Sequence, residues 1–160
     1  MADGGNIGSV ERVRAALRAA GHPDTVTEFP ASTRTAADAA AAVGCAVAQI
    51  AKSIVFRADA RAAVVIASGV NRVDVAKAAA VLGVSLRRAE PDWVRDTTGF
   101  AIGGVAPVGH LTPPLLLLDE DLLVLDPIWA AAGSPNHVFR TSAAELVRIA
   151  KAKVAAAKES

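Results

Sequence analysis

Sulfur and aromatic rings are scarce in this chain. Its 160 residues include one cysteine, one methionine, two tryptophans, four phenylalanines and no tyrosine. The lone cysteine, Cys45, excludes an internal disulfide framework and fits a reducing compartment. No apolar run approaches the ~20 residues that cross a bilayer. The longest, PLLLLDEDLLVLDPIW, is broken by Asp119, Glu120 and Asp121. The opening stretch MADGGNIGSVERVR lacks the apolar segment of a secretory signal. The expectation is a cytoplasmic protein with no membrane partner.

There is no excess of one charge either. Seventeen Lys and Arg face sixteen Asp and Glu, a formal net charge of +1. A protein that grips nucleic acid through many phosphates carries a basic excess. DNA is therefore not an expected partner, and any RNA contact is expected at an end or a small chemical group. His22, Cys45, His110 and His137 show no metal-ligand spacing such as C-x-x-C or H-x-x-x-H. A G-x-S-x-G nucleophile elbow is absent. No metal or cofactor is expected.

What is present is a large apolar fraction, 52% of the chain, much of it alanine. The length suits a single domain, residues 1–160, with residues 1–8 as a loose tail. Ser9 is placed to cap a first helix that Gly21 ends. TVTEFP alternates like a short strand. Thr35 and Asp38 form a capping box for an alanine-rich helix stopped by Gly44. Two β-branched runs around Ala58–Arg61 predict a hairpin. Asn71 and Asp74 suggest a second capping box, for a helix ending at Gly83. VSLRRA reads as a strand, and Pro91 opens a short helix. LLLLDEDLLVLD reads as a second hairpin with the acids in a solvated turn. HVFR is a short strand. Ser142 and Glu145 cap a C-terminal helix whose end, KAKVAAAKES, is polar enough to fray. Hairpins mixed with helices, without regular β-α-β alternation, favour an α+β domain with a mixed, largely antiparallel sheet.

Three segments carry candidate chemistry. GFAIGGVAPVGH contains a G-x-x-x-x-G spacing, but His110 and Leu111 stand where a phosphate-binding loop needs Lys and Ser or Thr. Its density of glycine (Gly99, Gly103, Gly104, Gly109) suggests backbone that a ligand approaches closely. Lys52 lies at the entrance of an apolar strand. It is either a lysine reaching into water or a partly enclosed ammonium that binds an anion, a carbonyl or a ribose hydroxyl. His137 follows the turn GSPN and is structural or catalytic. His22 is expected at the surface, His110 is ambiguous, and Cys45 is expected as a buried thiol.

Taken in order, AQIAKSIVF, TGFAIGGVAPVGH and AAGSPNHVFRTSAAELVRI, with the upstream FPASTRTAADAAAAVGC, resemble the YbaK/prolyl-tRNA-synthetase-associated editing-domain family over roughly residues 25–150. The resemblance implies a barrel-like mixed sheet surrounded by helices. It implies a free-standing aminoacyl-tRNA deacylase acting on a mischarged small amino acid of the Ala, Cys or Ser type, with a tRNA acceptor end and a synthetase as partners. It places the family's lysine on Lys52, its G-x-x-x-P loop on Gly103 to Pro107, and its late Gly/His element on Gly133 and His137. The implied catalytic set is Lys52, Gly103, Gly104 and His137. The candidate substrate-binding set is Phe29, Thr33, Ile54, Ile102, Pro107, Gly133 and Asn136. The loop here has Ala106 before the proline where the family often has serine. A non-catalytic aminoacyl-tRNA or nucleotide-binding module, a regulatory protein of the same fold and a small-molecule ester hydrolase remain alternatives.

Overall fold

The computed structural model describes residues 5–160. Residues 1–4 of the expected tail lie outside the described residues, while residues 5–8 are the first turn of a helix. In chain order the elements are α1 (Gly5–Ala19), β1 (Val26–Glu28), α2 (Ala36–Val43), β2 (Ile50–Ala58), β3 (Arg61–Ser68), α3 (Val75–Leu82), β4 (Arg87–Arg88), α4 (Pro91–Thr98), β5 (Leu115–Asp119), β6 (Ile128–Ser134), β7 (His137–Thr141), α5 (Ala143–Ala150) and β8 (Lys153–Ala155). Short 3-10 turns precede β2 and follow β5.

The local chemistry explains most of these boundaries. Thr35, Asp74 and Ser142 each accept a hydrogen bond from the backbone N–H three residues on, satisfying a donor that the helix start leaves unpaired. The runs SIVF and AVVIAS form the expected hairpin, paired from Ala51↔Ser68 to Ala58↔Arg61. The strands form one mixed sheet in the order β1-β7-β6-β2-β3-β5-β8, with β4 on β2. β2 runs parallel to β6, and β5 runs parallel to both β3 and β8. This is the α+β, mixed-sheet class that the sequence pattern predicts. Helices cover both faces. Ala78 and Leu82 of α3 pack on Ala63, Val65 and Leu117, while Val13 and Leu17 of α1, Val94 of α4 and Leu146 of α5 meet Val64 and Ile66 from the other side. β3 is thereby buried on both faces, which is why its sequence reads as a continuous apolar run.

Several expectations are corrected. Ser9 does not cap α1; it lies inside the helix, buried, and its hydroxyl donates to the Gly133 carbonyl at 2.6 Å. Asn71 takes no part in a capping box, since its side chain donates to Asp121 instead. The second hairpin does not form. After β5 both sheet flanks are occupied, by β3 and β8, so the returning chain coils into a 3-10 turn at Glu120–Val124. Of the acids, Glu120 is exposed as expected, but Asp119 is buried and accepts from the Ala157 and Asp121 N–H groups. The C-terminal stretch does not fray, because β8 adds to the sheet edge. His22 is buried, its ring nitrogens at hydrogen-bond distance from Pro23 O and Thr141 Oγ1. Cys45 is half-buried beside the small cluster of Ala39, Ala40 and Ile50. No helix among the described residues is long and apolar enough to cross a membrane.

Candidate active site

β2 has an opening along one edge. β3 pairs with its full inner side. On the other side β6 pairs only with Ile50 and Ala51, and β4 only with Phe56 and Arg57. Between them, from Lys52 to Val55, no strand lies alongside. A cavity of about 250 Å³ occupies this opening. Its walls come from β2, from Thr33 to Ala36 before and at the start of α2, from the β6 residues Trp129 to Ala131, and from Ile102, Gly103 and Val105 of the loop after α4.

Arg12 of α1 fixes that loop. Its guanidinium donates to the Gly99 carbonyl at 2.7 Å and to the Gly109 carbonyl at 3.0 Å, and it stacks on the Phe100 ring. One side chain thus holds both ends of an eleven-residue excursion. Nothing in the sequence singles out Arg12, since its role exists only once α1 lies against the loop.

The loop glycines divide into two kinds. Gly99 ends α4, and Gly109 stands against the backbone of Arg12 and Val13. Gly104 is pressed onto β6: a Cβ there would lie 2.8 Å from the Ser134 backbone. Its N–H donates to the Ala101 carbonyl, and its own carbonyl accepts from the Gly133 N–H. Most of the glycine density therefore serves the chain's approach to itself, which corrects the expectation of a ligand-facing run. Gly103 differs. It lines the cavity with φ +93°, a left-handed conformation that disfavours any side chain. Its N–H has no hydrogen-bond partner among the described residues.

The cavity's charge is one-sided. Lys52 lines it, and burial, reinforced by the charge of Arg72, pushes the ammonium below the ordinary lysine range. The aliphatic part of Arg34 lies over Gly103, close enough that a Cβ on the glycine would meet its Cγ at 2.6 Å. No lining residue is a carboxylate. Among the described residues no group of three His, Cys, Asp or Glu is placed to hold a metal.

Of the sequence-selected residues, Lys52, Gly103, Thr33, Ile54 and Ile102 come together around this cavity. Phe29, Asn136 and His137 form a second group with Ser134. Asn136 Nδ2 donates to the Phe29 carbonyl, which fixes Oδ1 toward the Ser134 hydroxyl at 2.9 Å. Ser134 has one proton and gives it to Oδ1, so the short contact with His137 Nδ1 takes its proton from the imidazole. Neutral His137 is thereby assigned the tautomer with a lone pair on Nε2. His137 does not itself line the cavity, but its neighbour Val138 does. Gly104 and Gly133 are packed away from it, and Pro107 lies in a separate cavity beside His110. Sequence reasoning passed over Arg34, Ser53 and Trp129, which line the cavity.

The model of the aminoacyl-tRNA editing domain family matches residues 30–149. A protein of Bacillus subtilis (strain 168), the uncharacterized YwhH, is 31% identical over 147 residues, 91% of this chain and 94% of that protein. A crystal structure described as "a putative trans-editing enzyme for prolyl tRNA synthetase" is 50% identical, with TM-score 0.88 over 95% of this chain and 98% of that one. Another solved structure, from work on grafting linear epitopes onto scaffold proteins, is 46% identical with TM-score 0.88 and the same coverage.

Proposed function

The chain belongs to the aminoacyl-tRNA editing domain family, and from that premise we propose that it is a deacylase acting in trans on a mischarged tRNA. The described residues are taken as one such domain. The bond broken is the ester between a small amino acid, of the alanine, cysteine or serine type, and the terminal adenosine. The observation that carries the reading is the pairing of an unanswered Lys52 ammonium with an unbonded Gly103 N–H in one small, carboxylate-free cavity. Resemblance to a chain described as "a putative trans-editing enzyme for prolyl tRNA synthetase" supports action in trans, with a synthetase as a partner.

An ester is already activated, so the protein needs to place a water and stabilise the charge that forms. The water adds to the carbonyl carbon, and the carbonyl oxygen becomes an oxyanion. The Gly103 N–H donates to that oxyanion, and Lys52 adds positive potential. Gly104 is not given this task, because its N–H is already bonded to Ala101. The C–O bond to the ribose then breaks, and the ribose oxygen takes the proton that the water gives up. With no carboxylate in the walls, the vicinal ribose hydroxyl is the group left to guide that proton. Arg34 in the cavity wall, with Lys52, favours the terminal phosphates while the chain's overall charge stays near neutral. Ile54, Ile102 and Trp129 limit the acyl group by size, the second sieve of editing.

The test is a deacylation panel with tRNAs charged with Ala, Ser, Cys and Pro. Hydrolysis of one or more small acyl groups above the buffer rate is expected, with Pro spared. No hydrolysis of any of them would leave a binding module of the same fold.

A further inference from the structure

Ser53 has a chemical position that the hydrolysis scheme above does not use. Its hydroxyl oxygen is buried and has no hydrogen-bond partner among the described residues. Side chains alternate along a strand, so Ser53 shares its face of β2 with Ala51 and Val55, which belong to or pack on the main core. The side chains beside it there, Val55, Val94 and Val105, are apolar, and none can answer a hydroxyl. A buried hydroxyl left unpaired costs stability, and native structures rarely keep one without a reason.

Ser53 also stands where two cavities adjoin. One is the cavity of Lys52. The other, about 170 Å³, is walled by Val55, Val94 and Val105. Ser53, Ile54, Ile102 and Gly103 line both. An acyl carbon held at Gly103 is therefore at the junction, with the second cavity beside the acyl side chain. That second space is small and apolar, and Ser53 is its one polar side chain.

We propose that Ser53 reads the acyl side chain, and that the ester this pocket prefers carries a short hydroxyl side chain, seryl over alanyl. The inference rests on the deacylase reading. Ser53 Oγ is closed off from both cavities in the observed rotamer, so pairing with a seryl hydroxyl takes a turn about χ1 that brings Oγ to the cavity wall. An alanyl methyl group would offer no partner and leave the oxygen unpaired. A site whose hydrogen-bonding group is left unsatisfied discriminates against the analogue that lacks the partner.

The experiment charges one tRNA body with serine or with alanine and measures kcat/KM for the parent and for Ser53→Ala. A second measurement, needing no variant, compares binding to the parent of hydrolysis-resistant amide-linked seryl-adenosine and alanyl-adenosine. The parent is expected to favour seryl by about tenfold in both measurements, the size of one net hydrogen bond. The kcat/KM ratio is expected to fall to about one in Ser53→Ala. An unchanged ratio in the variant, equal losses on both esters, or equal binding of the two analogues by the parent would overturn the proposal. A parent that hydrolyses neither ester but binds the seryl analogue more tightly would refute the deacylase and leave the reading of Ser53 standing.

Discussion

Two polar clusters in this largely apolar protein differ in how completely they are paired. At the end of β5, Asp119 accepts from the Ala157 and Asp121 backbones, Asn71 donates to Asp121, and Lys158 meets Asp121 at 2.9 Å. These contacts tie the C-terminal segment to the 3-10 turn after β5. At the opening in β2, Lys52, the Ser53 hydroxyl and the Gly103 N–H have no partner among the described residues. A closed network holds chain segments together. An open one in a cavity is left for water or a ligand to answer. We assign the first cluster to stability and propose the second for function.

The contrast can be broken from either side. The largest effect is expected on the closed side of the glycine loop. Gly104→Ala drives a Cβ into the Ser134 backbone and should lower stability by about 3 kcal/mol, measured by chemical unfolding. Gly103→Ala meets only the Arg34 side chain and an unfavourable φ, so its stability loss should be smaller, about 1–2 kcal/mol. Next, Lys52→Ala should reduce deacylation kcat/KM about a hundredfold, the scale of one transition-state donor. Its unfolding midpoint should stay the same or rise, since a partly buried charge is removed. Asp119→Ala should show the reverse pattern, losing about 2 kcal/mol of stability with kcat/KM unchanged well below its melting temperature. A variant of either kind that moved both quantities together would dissolve the distinction.

The smallest effect is a pH dependence. Burial, helped by the charge of Arg12, holds His110 below the ordinary histidine range, although the Ala106 carbonyl pulls it the other way. The folded state then binds this proton less readily than the unfolded chain does. Its contribution is complete above about pH 6.5, the unfolded value, and declines as pH falls below it. Urea unfolding at pH 7.5 and 5 should show the decline in the parent, and a shallower one in His110→Gln.

Much of this was legible from the sequence where short-range chemistry decides. Thr35, Asp74 and Ser142 cap helices because the bond they accept lies three residues away, and the β2–β3 hairpin follows from two β-branched runs and their turn. β8 was not legible, because KVA becomes a strand only when β5 offers an edge. His22 was misread because its partner, Thr141, is 119 residues away. The glycine run drew attention to the right loop for a reason only Gly103 satisfies; Gly104 and Gly109 answer backbone that folding alone brings near. Lys52 was found from its place at a strand entrance and from family resemblance. Ser53 carried a readable signal that was passed over: a hydroxyl at the core-facing position between Ala51 and Val55.

The central claim is that the opening in β2 is where an ester is hydrolysed. It is tested most directly by single-turnover deacylation of a mischarged seryl-tRNA, with protein in excess, comparing the parent, Lys52→Ala and Asp119→Ala. The account predicts rapid loss of the acyl group with the parent and with Asp119→Ala, and a rate about a hundredfold lower with Lys52→Ala. Equal rates for the parent and Lys52→Ala would contradict it.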